Sequence, residues 1–497
     1  MNVFLMHRDH DFDLDKVHPS NESELIQDLQ LDTLFNAMAR DDMFLLDIAK
    51  HAVLVGLTDI DSILYRQSIL QDCLKNDSII QTMYNIAVES IANEKKNRDI
   101  FREHPDARLH RSIEVMQMFV GMMKKLRSIA DEHVHQFLSQ GFARFFTMLG
   151  KELTDDYFSR IENHLNELKF HNGMLISVQL GVGNQGSNHI LLKHPPKKHN
   201  WMDQIFMNKR PVYVLSISDR DESGISALTD LKDKGINLVA NALAQAVDHI
   251  LSFFITLRTE LAFYVGCLNL YEQLMIKGEP TCFPVPYALN ERRESSLGLY
   301  DICLALSMEQ RVVGNDVFAD NMDFVIITGA NQGGKSTFLR SIGSSQLMMQ
   351  SGLFVPATSF SANICNALFT HFQRKEDIVM NSGKLDEELN RMSDIADHIT
   401  SNCMILFNES FAATNEREGS EIAGQISRAL VEKQIKVFFV THFYEFARGF
   451  YDEKMKNTMY LRAQRQMDGE RTFKLIEGEP LQTSYGDDLY RKIFNSN

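Results

Sequence analysis

The stretch Thr328-Gly329-Ala330-Asn331-Gln332-Gly333-Gly334-Lys335-Ser336-Thr337 fits the pattern G-x-x-x-x-G-K-[ST], a loop that wraps phosphates with its backbone. The flanking residues suit it. Before it, Phe324-Val325-Ile326-Ile327 is a short β-branched apolar run that reads as a buried parallel strand, and after it Phe338-Leu339-Arg340-Ser341-Ile342 opens a helical pattern. Strand, glycine loop and helix in that order place backbone N–H groups and the partial positive charge of a helix N-terminus around an anion. The candidate nucleotide contacts are therefore Gly329, Asn331, Gly333, Gly334, Lys335, Ser336 and Thr337. Lys335 is expected to reach the β/γ-phosphates, and the Ser336 hydroxyl to ligate Mg²⁺.

Two further apolar runs continue the pattern downstream. Met404-Ile405-Leu406-Phe407 reads as a strand ending in Asn408-Glu409, and Val437-Phe438-Phe439-Val440 as one ending in Thr441-His442. A strand of the first kind presents its terminal acid to metal and water, which makes Glu409 the candidate general base for attack on a γ-phosphate. His442 is the candidate γ-phosphate sensor. Ser382-Gly383-Lys384-Leu385 reads locally as a helix start, with Ser382 as N-cap and Asp386, Glu387 and Glu388 in the first turn.

Length and composition suit a large globular machine. A chain of 497 residues exceeds a single core and should divide into two or three domains. Its 44% hydrophobic and 24% charged residues are an ordinary globular balance. Six cysteines are scattered without a C-x-x-C pair, so neither a disulfide framework nor a zinc site is suggested, and a reducing cytosol is expected. The N-terminal MNVFLMHRDHDFD mixes charges into its few apolar residues, and no apolar run is expected to be long enough to cross a bilayer.

Residues 21–170 contain one proline, Pro105, and apolar residues at helical spacing, such as Leu45, Ile48, Ala49, Ala52 and Val53. An all-helical region is expected over 1–170. Met174 to Val178 and Val212 to Leu215 read as strands of a small β-containing insert over 171–225. Gly181-Val182-Gly183-Asn184-Gln185-Gly186 fits G-x-G-x-x-G, but a second strand comes after it instead of a helix, so it reads as a hairpin turn. A long helix should return from Ile236 to about Met275, inside a segment 226–280 that leads to the nucleotide domain at 281–497. Such a helix suits a lever or a coiled-coil dimer.

The loop TGANQGGKST, the run Gln350 to Ala357, the strand LFNES with Phe411 to Gly419, the segment Phe438 to Phe446 and Ser484-Tyr485-Gly486 together resemble the ATPase domain of MutS-type DNA mismatch-repair proteins. The resemblance implies a multidomain α and α/β protein: a helical core and lever region with a small β-containing insert, then a C-terminal ABC-type P-loop ATPase domain. It also implies ATP and Mg²⁺ as cofactors, Ser382 and Gly383 as a signature reaching the partner subunit's γ-phosphate, and hence a homodimer with composite ATP sites. The family pattern has Asp-Glu where this chain has Asn408-Glu409, so an indirect metal contact through Asn408 would lack a negative charge, and slow hydrolysis is expected. The mismatch-reading N-terminal domain of the family, with its Phe-x-Glu, is not expected here.

Double-stranded or branched DNA is the partner that the resemblance implies. The formal net charge of −15 weighs against it, because phosphate contacts need a basic surface. Lys193, Lys197, Lys198, Lys209 and Arg210 form the cleanest basic group, whereas Lys95, Lys96, Arg98, Arg102, Arg108 and Arg111 are interleaved with acids and read as a solvated face. Two functions fit: a nucleotide-gated dimeric clamp on DNA in repair or recombination, or a nucleotide-gated assembly protein that hydrolyses ATP slowly or not at all and touches no DNA.

Overall fold

A computed structural model describes residues 1–98, 104–171, 173–184, 186–193, 213–214, 216–218, 220–374, 383–465 and 471–481. The chain divides into two compact units, one of Met1–Val3, Gln81–His135 and Ala143–Arg258, the other of Phe4–Ile80, Gln136–Phe142 and Thr259–Asn497.

The first unit is built on helices. Helix Pro105–His133 starts with proline in its first turn, where the missing N–H costs nothing, and buries Leu109, Ile113, Met116, Phe119, Val120, Met123 and Leu126 at three- and four-residue spacing. Thr154 caps helix Asp155–Glu167 by accepting from the Tyr157 N–H at 3.2 Å. Strands β1 (Leu175–Leu180) and β2 (Gly186–Leu192) pair antiparallel, and Gly183 between them sits at φ 72°, so the G-x-G-x-x-G segment is a hairpin connection. Tyr213 and Val214, expected in a strand, belong to no strand among the described residues and are 91% and 87% exposed, while Val212 and Leu215 lie outside the described residues.

The long helix runs from Glu222 to Ile276, 55 residues, starting well before the expected Ile236. At 1.5 Å per residue it spans about 80 Å. Gly224 and Gly235 lower helix propensity, which places the expected start too far downstream. Packing bears on Gly235 too: a Cβ there would lie 2.5 Å from the Ile176 Cδ1 of β1, so a larger residue would have to displace that side chain. This helix also corrects the expectation that no apolar run is long enough for a bilayer, since it holds an 18-residue window of mean hydropathy 1.5.

In the second unit six strands form one sheet in the order β12-β11-β6-β10-β9-β8. They accompany a smaller sheet, ordered β3-β7-β4-β5, made by β3 (Val285–Tyr287), β4 (Glu294–Leu299), β5 (Asn315–Phe318) and β7 (Ser359–Asn363). The large sheet's strands are β6 (Phe324–Thr328), β8 (Leu368–Phe372), β9 (Met404–Asn408), β10 (Lys436–Val440), β11 (Thr458–Arg465) and β12 (Arg471–Glu477). All neighbours run parallel except β12, which pairs antiparallel with β11. Both faces of the parallel strands are covered, which is why β6, β9 and β10 are continuous apolar runs. Phe324, Ile326, Phe407, Phe411, Val437, Phe439, Phe446 and Phe450 meet in the core on one side.

An ionisable group is buried at the start of this unit. The Glu260 carboxylate accepts from the backbone N–H groups of Leu5 (2.6 Å), Met6 (3.2 Å) and Phe12 (3.0 Å), tying the N-terminal segment down. Burial pushes its pKa from 4.5 up to about 7, against the pull of those N–H groups. A raised folded-state value means that Glu260 favours folding most below its unfolded pKa, and that this contribution is lost as pH rises through about 7. Relative to Glu260→Gln, whose offset is constant with pH, wild-type stability should therefore fall by up to about 3 kcal/mol between acid and mildly alkaline solution. Denaturant melts of both proteins across that range measure it; parallel curves would show that the carboxyl keeps its ordinary pKa.

Candidate nucleotide site

The loop after β6 needs its glycines. Gly329 and Gly334 lie at φ +115° and +88°, and a Cβ on Gly333 would sit 2.7 Å from the Ala463 Cβ and 2.9 Å from the Ala330 carbonyl. Helix Lys335–Gln350 begins directly after Gly334. Its first N–H groups lack intrahelical acceptors and face the loop mouth. Asn331 is exposed on the rim, and Thr337 is half-buried in the first helical turn.

Lys335 is buried and donates to two carbonyls of its own loop, Gly329 O at 2.9 Å and Ala330 O at 3.0 Å. Burial pulls its pKa from 10.5 down to about 8, opposed by the negative charge of Glu409. The Ser336 hydroxyl donates to Asn408 Oδ1 at 2.8 Å, so the expected metal ligand and the neutral residue at the end of β9 are in contact. Two neutral oxygens side by side suit a hard cation that takes its remaining ligands from phosphate and water.

Strand order brings the remaining groups in. Because β10 lies between β6 and β9, with Val440 opposite both Ile327 and Asn408, the C-terminal ends of three strands open beside one loop. Glu409, just past β9, donates its N–H to Val440 O at 2.9 Å and holds φ at 55°. Phe411 holds φ at 63°. Left-handed backbone at two non-glycine residues costs on the order of 1–3 kcal/mol each and persists only where surroundings enforce it. Glu409 Oε1 lies 2.7 Å from His442 Nε2, and that bond keeps the carboxyl below its usual range despite burial.

Some contributors carry no short-range signal. Ala463 on β11 bounds the glycine turn, and the Arg471 guanidinium on β12 donates to the Gln332 amide oxygen. Phe473 presents its carbonyl to Gly334, and Asn315 donates to that same oxygen at 3.3 Å. These residues lie more than a hundred positions from the loop or on another sheet, and no motif marks them.

Helix Lys384–His398 begins with Gly383 at the N-cap, its φ −63° and ψ 150°, and no side chain caps it. The expectation of Ser382 as N-cap is thus corrected; Ser382 itself, like Ser484 to Gly486, lies outside the described residues. Asp386 and Glu387 occupy the first turn, where the helix dipole favours carboxylates. Among the basic candidates, Lys193 pairs with Glu167 at 2.7 Å, and Lys197, Lys198, Lys209 and Arg210 lie outside the described residues. In the other basic group Arg111 pairs with the nearly buried Glu94 at 2.9 Å.

Comparisons with known proteins bear on both halves of the chain. Residues 58–276 match the family model of the MutS2 N-terminal domain, and residues 325–494 that of MutS domain V. The DNA mismatch repair protein MutS of Thermotoga maritima is 37% identical over 137 residues, 27% of this chain and 17% of that protein. MutS protein homolog 4 of Homo sapiens is 32% identical over 148 residues, 30% of this chain and 16% of the relative. The DNA mismatch repair protein MutS of Prochlorococcus marinus is 30% identical over 170 residues, 34% and 19% respectively. The match thus spans less than a fifth of the length of each relative.

Proposed function

Because this chain belongs to the MutS family, we propose that it is an ATP-dependent, DNA-associated homodimer of the cytoplasm, a nucleotide-gated clamp in DNA repair or recombination. The observation that carries this reading is the meeting of Lys335, Ser336, Asn408, Glu409 and His442 at the ends of three adjacent strands. The glycine loop and the helix N-terminus bind the phosphates, and Lys335 leaves the Gly329 and Ala330 carbonyls to meet the β/γ-oxygens. Ser336 and Asn408 would hold a Mg²⁺ ion, which would supply charge neutralisation at the phosphates. Glu409 accepts a proton from the attacking water, and His442, the γ-phosphate sensor of this reading, bonds that carboxylate at 2.7 Å. By the family signature, Ser382 and Gly383 are assigned to the partner subunit's ATP. Residues 1–170, 171–225 and 226–280 serve as core, clamp insert and lever, with 281–497 as the ATPase.

The neutral Asn408 sets the expected rate. Asn408→Asp adds a negative charge beside the metal and should lower the Mg²⁺ concentration for half-maximal hydrolysis several-fold, with a faster turnover. A Mg²⁺ titration that does not move, or a loss of nucleotide binding, would mean that the site has adapted to the amide.

The charge of −15 and the pairing of Lys193 with Glu167 favour the second reading, a nucleotide-gated assembly protein without DNA contact. Duplex affinity measured against salt separates the two, since contacts to phosphates weaken steeply as salt rises. On the clamp reading, Lys197→Glu with Lys198→Glu weakens binding to any duplex about equally and flattens the salt slope, leaving basal hydrolysis intact. Equal affinity and equal slope in the double variant would favour the assembly protein.

A further inference from the structure

Glu409 and its turn are held in left-handed backbone by groups outside the nucleotide loop. The turn Glu409-Ser410-Phe411 carries φ 55° and 63° at its outer residues, and Ser410 between them is fully buried. Its hydroxyl lies 2.8 Å from Nδ1 of His371 and 2.5 Å from the His371 carbonyl oxygen. The imidazole of His371, on β8, is also fully buried, and its Nε2 lies 2.9 Å from the Glu388 carbonyl on helix Lys384–His398. A carbonyl only accepts, so Nε2 carries the ring hydrogen. Burial pulls the imidazole down to about 4, so the ring is neutral, Nδ1 is an acceptor, and the single Ser410 hydroxyl hydrogen is shared between the His371 carbonyl and Nδ1. The ring is stacked on Phe411 at 5.2 Å, with 22° between planes. Burial raises the Glu388 carboxyl, and the Phe411 N–H beside it pulls it back. One side chain thus touches the middle and the end of the turn and ties both to the helix that starts at Lys384.

Resting on the reading of Glu409 as general base, we propose that His371 is a positioning residue for ATP hydrolysis, which fixes Glu409 at the γ-phosphate by bonding Ser410 and the Glu388 backbone together. His371 is fully buried. It sits one strand outside β9, so its effect reaches the carboxylate only through the turn. A base displaced by about 1 Å loses on the order of 10²-fold in rate, whereas phosphate binding by the glycine loop does not depend on this turn.

The two roles of the ring, packing and bonding, are separable. His371→Phe keeps an aromatic ring on Phe411 and removes both ring bonds, leaving only the Ser410 bond to the main-chain carbonyl of residue 371; His371→Gln removes the ring and keeps an amide able to donate toward Glu388 O. Ser410→Ala removes the hydroxyl with little change of volume. ATP affinity, kcat and KM for hydrolysis, and melting temperature are measured for these variants, wild type and Glu409→Gln. The expected result is that His371→Phe and Ser410→Ala lower kcat by ten-fold or more with nucleotide affinity within two-fold of wild type, and that His371→Gln recovers part of the loss. Wild-type kcat in His371→Phe, or in Ser410→Ala should the first fail to fold, overturns the proposal. A kcat that follows ring packing, preserved in Phe and lost in Gln, overturns it as well. Glu409→Gln keeps this outcome distinct: hydrolysis unaffected by that substitution removes the general-base reading itself, whatever the His371 variants do.

Discussion

Lys335→Ala should weaken ATP binding by at least about 10²-fold, because it removes a buried cation from the β/γ-phosphates and leaves their charge to backbone donors alone. The fold should survive the change. Lys335 sits in a buried position where desolvation already lowers its pKa to about 8, so replacing it with a methyl group lifts a desolvation penalty even as it leaves the Gly329 and Ala330 carbonyls without their donor. These opposing effects should leave the melting temperature nearly unchanged. Nucleotide titration by calorimetry, together with a thermal melt, reads both halves. Unchanged affinity would mean that the loop is not the nucleotide site, and a collapse of the melt would mean that the lysine is structural.

Glu409→Gln should leave ATP bound and cut hydrolysis by about 10²- to 10⁴-fold, the range over which a positioned general base acts. The amide matches the carboxylate in size and can still meet His442, whose Nε2 lies 2.7 Å from Glu409 Oε1. The turn therefore has no steric reason to change. What is lost is the ability to take a proton, and His442 pulls the Glu409 carboxyl below its ordinary range, so wild type has the ionised base ready at neutral pH. In the clamp reading the variant accumulates as an ATP-bound dimer, visible as a nucleotide-dependent mass shift. Wild-type turnover would reassign the base.

Legibility in the sequence depends on the range over which each feature is encoded. The loop, its preceding strand and its succeeding helix are written in one continuous stretch, Phe324 to Gln350. Glycines where φ is positive, an apolar run where both sheet faces are covered and a lysine at the helix start are local requirements, and a single sequence exposes them. Glu409 and His442 are legible for the same reason, as the polar residues that close two apolar strands. The hairpin reading of Gly181 to Gly186 rests likewise on a neighbouring run, the strand-like Ser187 to Leu192.

Other features exist only once the strands are ordered. The insertion of β10 between β6 and β9 sets Ser336 against Asn408 and aims His442 at Glu409, contacts across 72 and 33 positions that no spacing rule predicts. Ala463, Arg471 and Phe473 reach the glycine loop because β11 lies beside β6, and a Cβ-free approach is visible only when both backbones are in place. Gly235 serves in the fold as the contact point for Ile176, a role that nothing in its own neighbourhood marks. His371 looks like any core histidine within its strand; its role arises from Ser410 and Glu388, brought together by parallel pairing of β8 with β9 and by the helix packed beside them. Backbone preference and hydrophobic period act over neighbouring residues and so can be read along the chain. Which side chains meet is decided by strand order and packing, which join residues far apart in sequence and therefore appear only in the tertiary structure.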